Sequence, residues 1–571
     1  MYRQEHPKPQ WQRKSYRNLN GAWDFTFDFG AAGEKLGLAQ PDAVYDKTIE
    51  VPFCPESDLS GIGYKNFIDS CWYRRTLVVT EEELSGIVRL HFGAVDYKAT
   101  LYVNGQKIGT HKGGYVSFFF DIQDVLTVGE NRIALHVEDN TRDPLIPSGK
   151  QSDRYESYGC SYTRTTGIWQ TVWLECLPKT HIESARYYPD PANARLGVTA
   201  KTVGEGTLTI TALWEDRVVG EVTAYTKGTE VSVTLPLTEV HPWEVGKGGL
   251  YNLVLTFGDD RVESYFGLRS LRLDAYKFLI NEKSVFQRLV LDQGFYPDGI
   301  YTAPSDEALA HDIEMSMAVG FNGARLHEKV FEERFLYHAD RLGYIVWGEY
   351  PNWGLDPTRH ESLYAILPEW MAEIERDFNH PSIVGWCPYN ETYQPGGNNG
   401  QINEVIETVY NVTKAIDTTR PCIDTSGYIH TAKTDVWDVH DYEQNPEIFR
   451  ESFASFESED TFRNFCNRWQ KYPGNTPMFV SEYGGTATPT DECDGWGYGN
   501  APRSYEEFYE RIKGLTDVLL ENGKMMGYCY TQLTDVEQEQ NGIYYYDRRK
   551  KYDTDRLRSI FGAKAKIEEE I

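Results

Sequence analysis

The sequence predicts a multidomain chain, an all-β N-terminal half followed by a (β/α)8 barrel. Three observations carry that prediction. At 571 residues the chain is too long for one core. Residues 1 to about 270 run in short alternating stretches between turn signals. From about 271 onward the pattern becomes strand, helix, strand, helix.

In the β half, ATLYVNGQKIGTHKGG is the clearest hairpin. Ala99–Val103 meets Asn104-Gly105, the dipeptide a type I′ turn favours, and a second strand runs on. NRIALHVED and TVWLECL read as further strands. The composition shifts after Pro178, and GTLTITALWED, EVSVTLPL and YNLVLTFGD follow. A set of strands over about 90 residues suits a small β-sandwich. We therefore divide the chain into residues 1–178, 179–270 and 271–571.

The last segment offers eight candidate strands: RLVLDQG (288–294), FNGARLH (321–327), YIVWGEY (344–350), SIVGWCPYNE (382–391), PCIDTSG (421–427), VWDVHDY (436–442), MFVSEYGG (478–485) and GYCYTQLTD (527–535). Helical stretches such as SDEALAHDIEMSMAVG, ESLYAILPEWMAEIERDF and YEEFYERIKGLTDVLLENG fall between several of them. Eight strands with helical crossovers fit a closed barrel. An open doubly wound sheet is the alternative, but LDQGFYPDG lacks the G-x-G-x-x-G loop expected after its first strand.

Composition narrows the function classes. A net charge of −29 without any Lys/Arg-rich run argues against nucleic acid as a partner. No segment approaches the roughly 20 apolar residues that span a bilayer, so no membrane partner is expected. The N-terminal residues show no apolar signal core, from which a cytoplasmic location is expected. The nine cysteines are scattered without a C-x-x-C. They read as unpaired thiols in a reducing compartment, with no metal or cofactor site among them. Fourteen Trp and 39 Tyr suit either large β cores or the flat faces of sugar rings.

The candidate strands end in polar residues: Asp292, Arg325 and His327, Glu349, Asn390 and Glu391, Asp424, His440 and Tyr442, Glu482 and Tyr483, Gln532 and Asp535. In a barrel of this kind the chemistry sits at those C-terminal ends. The apolar run in HPSIVGWCPYNET (380–392) ends on Asn390 and Glu391, and VSEYGG carries Glu482. The fourth and seventh strands face each other across a barrel mouth. Retaining glycoside hydrolysis needs two carboxyl groups roughly 5 Å apart, one as nucleophile and one as acid/base. The acid must be protonated near neutral pH, which needs desolvation or a negative neighbour. Tyr442 can donate to the nucleophile, and Asn390 can bond the sugar hydroxyl beside the anomeric carbon. Ion pairing at the barrel mouth is the plain alternative for either glutamate. Metal hydrolysis through His327, Glu349 and His440 is the rival chemistry, but no H-x-H or H-E-x-x-H spacing appears.

Together these residues resemble glycoside hydrolase family 2, which includes β-galactosidases, β-glucuronidases and β-mannosidases. PKPQWQRKSYRNLNGAWDFTFD, VPFCPESDLSGI, CWYRRTL and FGAVDYKATLYVNGQKIGTHKGGYVSFFFDI resemble its sugar-binding jelly-roll domain. TTGIWQTVWLE resembles the exit into its immunoglobulin-like domain, and YFGLRSLRLD the entry to its barrel. DFNHPSIVGWCPYNE is similar to the acid/base signature, which implies Glu391 as acid/base beside Asn390. VSEYGG implies Glu482 as nucleophile, and VHDY implies Tyr442 as its hydrogen-bonding neighbour.

The pocket departs from the family pattern. RLHEKV keeps Arg325 but sets His327 one place early, where many members read Arg-x-x-His-Tyr-Pro. LVLDQGFYPDGIY lacks the His-Glu of well-known galactosidases and glucuronidases. Glu349 stands in WGE rather than Trp-Asp-Glu, and Thr531 stands about where a sugar-stacking Trp is common. NGIYYYDRRKK has no Asn-x-Lys, the grip on a uronic carboxylate, for which Lys329 or Arg325 would have to substitute.

The expectation is an exo-acting retaining β-glycosidase that removes one terminal sugar, with a β-galactoside-like substrate as the default. A furanosidase or pentosidase (galactofuranoside or arabinoside) and a β-glucuronidase are the alternatives. Arg325, His327, Asp292, His440, Gln532 and Glu349 are candidate sugar contacts, with second-shell support as their other reading. A catalytically inactive carbohydrate-binding protein, using Trp23, Trp72 and Trp169, is the alternative of another class. The long polar loop at 144–167 is a candidate to narrow the pocket or to join subunits of a homo-oligomer.

Overall fold

The computed structural model describes residues 2–392, 400–454, 470, 472–474, 476–489 and 494–569. Three cores follow one another along the chain. The first is an antiparallel sandwich. Its six-stranded sheet runs Lys47–Val51, Gly21–Phe27, Ser70–Val79, Gly129–Glu138, Lys98–Val103, Gln106–Lys112 in spatial order. A four-stranded sheet of Arg17–Asn18, Val172–Leu177, Ile87–Phe92 and Phe118–Asp121 covers it. Trp23, Phe25, Tyr73, Leu90 and Leu135 fill the space between. The hairpin is where the sequence puts it: Asn104 and Gly105 both adopt positive φ, 51° and 81°, as a type I′ turn demands. The second core is a smaller sandwich of three and four antiparallel strands between His181 and Gly267, the strand count of a constant-type immunoglobulin fold.

The third core is the barrel. Seven parallel strands form one sheet: Gln287–Asp292, Gly323–Leu326, Ile345–Glu349, Ile383–Cys387, Trp437–Asp441, Met478–Gly484 and Met525–Thr531. They occupy positions one to four and six to eight of the ring. The expected fifth strand, PCIDTSG, is not one. It makes single bridges, Cys422 to Trp386 and Ser426 to Asn390, and meets the sixth strand through His440 N to Gly427 O at 3.4 Å and the residues just before that strand through Asp435 N to Cys422 O at 3.0 Å. Pro421 has no N–H to donate, and Gly427 leaves extended geometry at φ +109°. The segment still closes the ring, but as an irregular link.

Below the mouth, the barrel interior is packed by Leu289, Leu291, Trp347, Val384 and Phe479. A short hairpin, Leu271–Asp274 with Lys277–Ile280, plugs the far end through Phe278 and Ile280. The first sandwich docks on the mouth side through Tyr115, Tyr162 and Trp169 against Phe295, Tyr301 and Val536. Trp169 is thus spent on that contact, Trp23 lies inside the sandwich, and Trp72 stacks on His136 at 4.3 Å. All three are buried, which corrects the alternative that placed them on an open sugar-binding face: their area is worth more inside.

Phe278 is the test of the plug. Phe278→Ala is expected to cost about 3–5 kcal/mol, read as a lowered denaturant midpoint for the unfolding step that carries the barrel.

Candidate active site

Arg325 leaves the second strand inside the barrel and is essentially inaccessible to solvent. Its guanidinium meets four acceptors on three other strands or their ends. Nε donates to Glu349 Oε1. Nη1 donates to Ser481 O at 2.8 Å and to Glu482 Oε1 at 3.1 Å. Nη2 donates to Asn390 Oδ1 at 3.0 Å. Burial works against the charge, and Glu349 and Glu482 outweigh it, so the group is held protonated well above its ordinary range. The other oxygen of Glu349 bonds His327 Nδ1 at 3.0 Å. Burial, reinforced by the Lys150 charge, pushes the His327 imidazole well below its usual range, so the ring is neutral.

Glu482 sits at the end of the seventh strand. Besides Arg325 it accepts from Tyr442 OH at 2.5 Å. Tyr442 is fixed by Thr531 Oγ1 at 3.0 Å and by Tyr498, whose ring stacks on it at 3.6 Å. Thr531 therefore braces the tyrosine, where relatives are expected to carry a stacking Trp.

Glu391 follows Asn390 at the end of the fourth strand in left-handed backbone, φ +52°, a conformation that costs a non-glycine residue free energy. Its amide donates to Ser426 O at 2.9 Å, and Asn390 N donates to Asn352 Oδ1 at 2.7 Å. These bonds pin the turn. The turn swings the Glu391 side chain, 16% exposed, to His440 Nδ1 at 2.8 Å. The same nitrogen lies 3.4 Å from Glu482 Oε2. A β-bulge after Val439 sets His440 opposite Glu482 in register. Burial raises the Glu391 carboxyl, but the His440 bond and charge, Lys150 and the Tyr428 phenol outweigh it and bring it to about 2. Sequence reasoning expected a protonated acid here. The carboxyl is lowered instead, because the groups around it, His440, Lys150 and Tyr428, favour its charged form.

The remaining expected residues divide. Asn390 joins the cluster, and its Nδ2 is buried without a partner among the described residues. Gln532 donates to Asn541 Oδ1 at 2.9 Å, and its Oε1 is buried without a partner among the described residues. Asp292 stands apart from the glutamates: its Oδ1 accepts from Gly294 N at 2.9 Å. Lys329, named as a substitute grip, points to Gly294 O and to Tyr301 O at 2.8 Å. Burial brings its ammonium down to about 7. Arg325, the other substitute, has four of its five N–H donors engaged within the site.

One cation was missed. Lys150, on the 144–167 loop, is buried and has no carboxylate within ion-pair distance among the described residues. Its Nζ lies 3.4 Å from the centroid of Trp353, which follows the third strand. Ser148 N and Gly149 N donate to Trp353 O at 2.8 and 3.0 Å, seating the loop. Burial opposes the Lys150 charge, while Cys160, Glu391, Glu328 and Glu482 raise it. The loop's length and polarity signalled a pocket element; nothing in the sequence singled out its lysine.

Glu391, His440 and Glu482 offer ligand atoms all within 4.8 Å of one another. Among the described residues this trio alone has the spacing to close on a cation. His440 Nδ1 is hydrogen-bonded to Glu391 and lies 3.4 Å from Glu482, which sets the two carboxylates at the spacing suited to one anomeric centre and its oxygen.

Residues 41–178 match the family model for the sugar-binding domain of glycosyl hydrolases family 2. Residues 273–514 match its TIM barrel domain. A protein named putative beta-glucuronidase from Formosa agariphila is 26% identical over 84% of this chain and 58% of its own length. A beta-galactosidase from Thermoanaerobacter pseudethanolicus is 26% identical over 84% of this chain and 60% of its own length. The chain thus spans under two thirds of either relative. The structure of a b-glucuronidase from Ruminococcus gnavus in complex with D-glucuronic acid shares the fold, with a TM-score of 0.79 over 96% of this chain and 98% of that one at 19% identity.

Removing the guanidinium strands Glu349 in the interior. Arg325→Met is therefore expected to lose about 3–5 kcal/mol of stability, seen in chemical denaturation. The double variant Arg325→Met/Glu349→Met is expected to recover part of that loss.

Proposed function

Because the chain belongs to glycosyl hydrolases family 2, we propose that it is a retaining exo-β-glycosidase acting on a small glycan or glycoside. The observation that carries this reading is the approach of Glu391 and Glu482 from facing strands, with oxygens no more than 4.8 Å apart. Retaining enzymes hold their pair about 5 Å apart, whereas inverting ones leave room for a water.

Glu482, oriented by Arg325 and Tyr442, attacks the anomeric carbon and forms a glycosyl ester. Glu391 delivers a proton to the departing oxygen. In the second half Glu391 takes a proton from water, which displaces Glu482 with a second inversion. The free Nδ2 of Asn390 is the donor suited to the sugar hydroxyl beside the reacting carbon. The 144–167 loop covers one side of the mouth and favours removal of a single terminal residue.

A β-galactoside-like sugar is the family default. A specific observation favours a hexuronide as the second reading: Lys150 supplies a buried ammonium that feels the charge of both glutamates and has no ion-pair partner among the described residues, although the Asn-x-Lys grip is missing. A carboxylate at the sugar C6 position would complete a charge-assisted pair there.

On aryl β-glycosides, Glu482→Ala is expected to lower kcat by at least about 10⁴-fold, with azide giving the α-glycosyl azide. Glu391→Ala is expected to keep turnover of activated aryl leaving groups and to give the β-glycosyl azide with azide. Wild-type-like turnover in Glu482→Ala on any aryl glycoside, or in Glu391→Ala on one with a poor leaving group, ends the assignment. Lys150→Met is expected to raise KM for nitrophenyl β-D-glucuronide at least about tenfold while sparing the galactoside. An equal effect on both sugars removes the uronide reading.

A further inference from the structure

His440 is poised as more than a sugar contact. Its Nδ1 lies 2.8 Å from Glu391 Oε1, and its Nε2 lies 3.0 Å from Ser426 Oγ. The donors can be counted. Ser426 donates its hydroxyl proton to Asp438 Oδ2 at 2.6 Å, and Ser481 donates to the same oxygen. Ser426 Oγ must therefore accept from His440, which places a proton on Nε2. At the other nitrogen a single proton lies between Nδ1 and Glu391 Oε1. We propose that His440 is the proton store of the acid/base step, a positioning residue that loads and unloads Glu391. This rests on the retaining-glycosidase reading above.

The step balances. In the resting site His440 is an imidazolium and Glu391 a carboxylate. As the sugar fills the mouth and displaces water, Nδ1–H passes its proton to Glu391 Oε1, leaving a neutral imidazole with its proton on Nε2. Glu391 then protonates the glycosidic oxygen as the C1–O bond breaks and its electron pair stays on that oxygen, while Glu482 bonds C1. In deglycosylation water attacks C1 and the bond to Glu482 breaks. The water proton goes to Glu391 and from there returns to Nδ1. No other reactant is needed.

The groups facing the ring support this cycle. Glu391 from the fourth strand end and Glu482 from the seventh favour the imidazolium, while Arg325 from the second strand opposes it. Burial also opposes it, and the two carboxylates win, so the imidazole is raised above its ordinary range. His327 from the second strand end is neutral. Glu349 from the third is engaged by Arg325. Asp438, two residues earlier on the sixth strand, is reached through Ser426. Tyr428 sets its ring edge against the imidazole at 5.7 Å and donates to Glu391. The ring has little freedom: a Cβ on Gly427 would fall 2.6 Å from it. The position demands glycine on conformational grounds as well, with φ at +109°.

His440→Asn keeps a donor near Glu391 but cannot store a proton. Phenyl and 2,4-dinitrophenyl β-glycosides of the sugar that the wild type cleaves fastest provide the probes. The phenyl glycoside is expected to lose about 100-fold in kcat/KM at pH 7. The dinitrophenyl glycoside, whose leaving group needs no proton, is expected to stay within about tenfold of wild type. The sign of the pH effect is fixed. A raised histidine holds the shared proton to higher pH, so the basic limb of the phenyl-glycoside profile should move down by at least about one unit once that histidine is gone. An unmoved limb, or equal loss with both leaving groups, overturns the proposal. If the wild type cleaves no glycoside, the functional reading fails separately. The proton store is then read in the wild type by ¹⁵N NMR: an imidazolium at pH 7 whose pKa falls in Glu391→Gln supports it, and a neutral ring overturns it.

Discussion

The Arg325 guanidinium is the constraint on which the candidate site depends. It is buried, it cannot be deprotonated, and its planar fork reaches acceptors on the third and seventh strands and at the end of the fourth. A charge that has left water must find partners of good geometry or the interior does not form. The positions of Glu349, Glu482 and Asn390 are therefore fixed by the cost of leaving Arg325 unsatisfied. The barrel strands supply the stiffness, and the arginine converts it into the placement of side chains at the mouth.

The site is a balance of buried charges. Arg325, Lys150 and the His440 imidazolium stand against Glu349, Glu391 and Glu482, while burial pushes the Glu328 carboxyl well above its usual range. Two of these cations come from the barrel, and the third comes from the first sandwich. The sandwich is therefore part of the electrostatics of the site as well as a brace. Its docking residues, Tyr162 and Trp169 among them, hold the loop on which Lys150 arrives. Tyr162 also donates to Glu539, which with Asn541 and Gln532 forms a hydrogen-bonded chain back to the eighth strand. The second sandwich makes no such contribution among the described residues, and it meets the barrel below the mouth through several bonds, among them Trp243 Nε1 to Asp340 O at 2.7 Å, Tyr265 OH to Asp340 Oδ2 at 2.8 Å and Tyr187 N to Asn379 Oδ1 at 2.8 Å.

Much of this was legible in the sequence because it follows from local rules. The Asn104-Gly105 turn needs two residues of positive φ, and the strand ends needed polar residues only if something used them. What was not legible depends on the tertiary fold. PCIDTSG has the apolar start of a strand, yet Pro421 and the Ser426–Gly427 turn break the ladder, and only the closed ring shows that bridges suffice. Asp292 looked like its neighbours at other strand ends, but its carboxylate turns back on its own loop. Trp23, Trp72 and Trp169 have the composition of a sugar platform and the burial of a core. Lys150 is one of three basic residues in a long loop, with Arg154 and Arg164, and its meaning exists only once that loop lies on Trp353.

The backbone at Glu391 shows what the fold gives up for the site. An ordinary strand end would continue in extended geometry and send the side chain along the barrel axis. A left-handed glutamate costs of order 1 kcal/mol or more, and its orientation is held by Ser426 O on one side and, through Asn390, by Asn352 on the other. Relaxing it would release that strain, but the carboxylate would swing off His440 and away from Glu482. Strain held by two hydrogen bonds is thus the local expense of bringing two carboxylates to one point, and stability alone gives no reason to keep it.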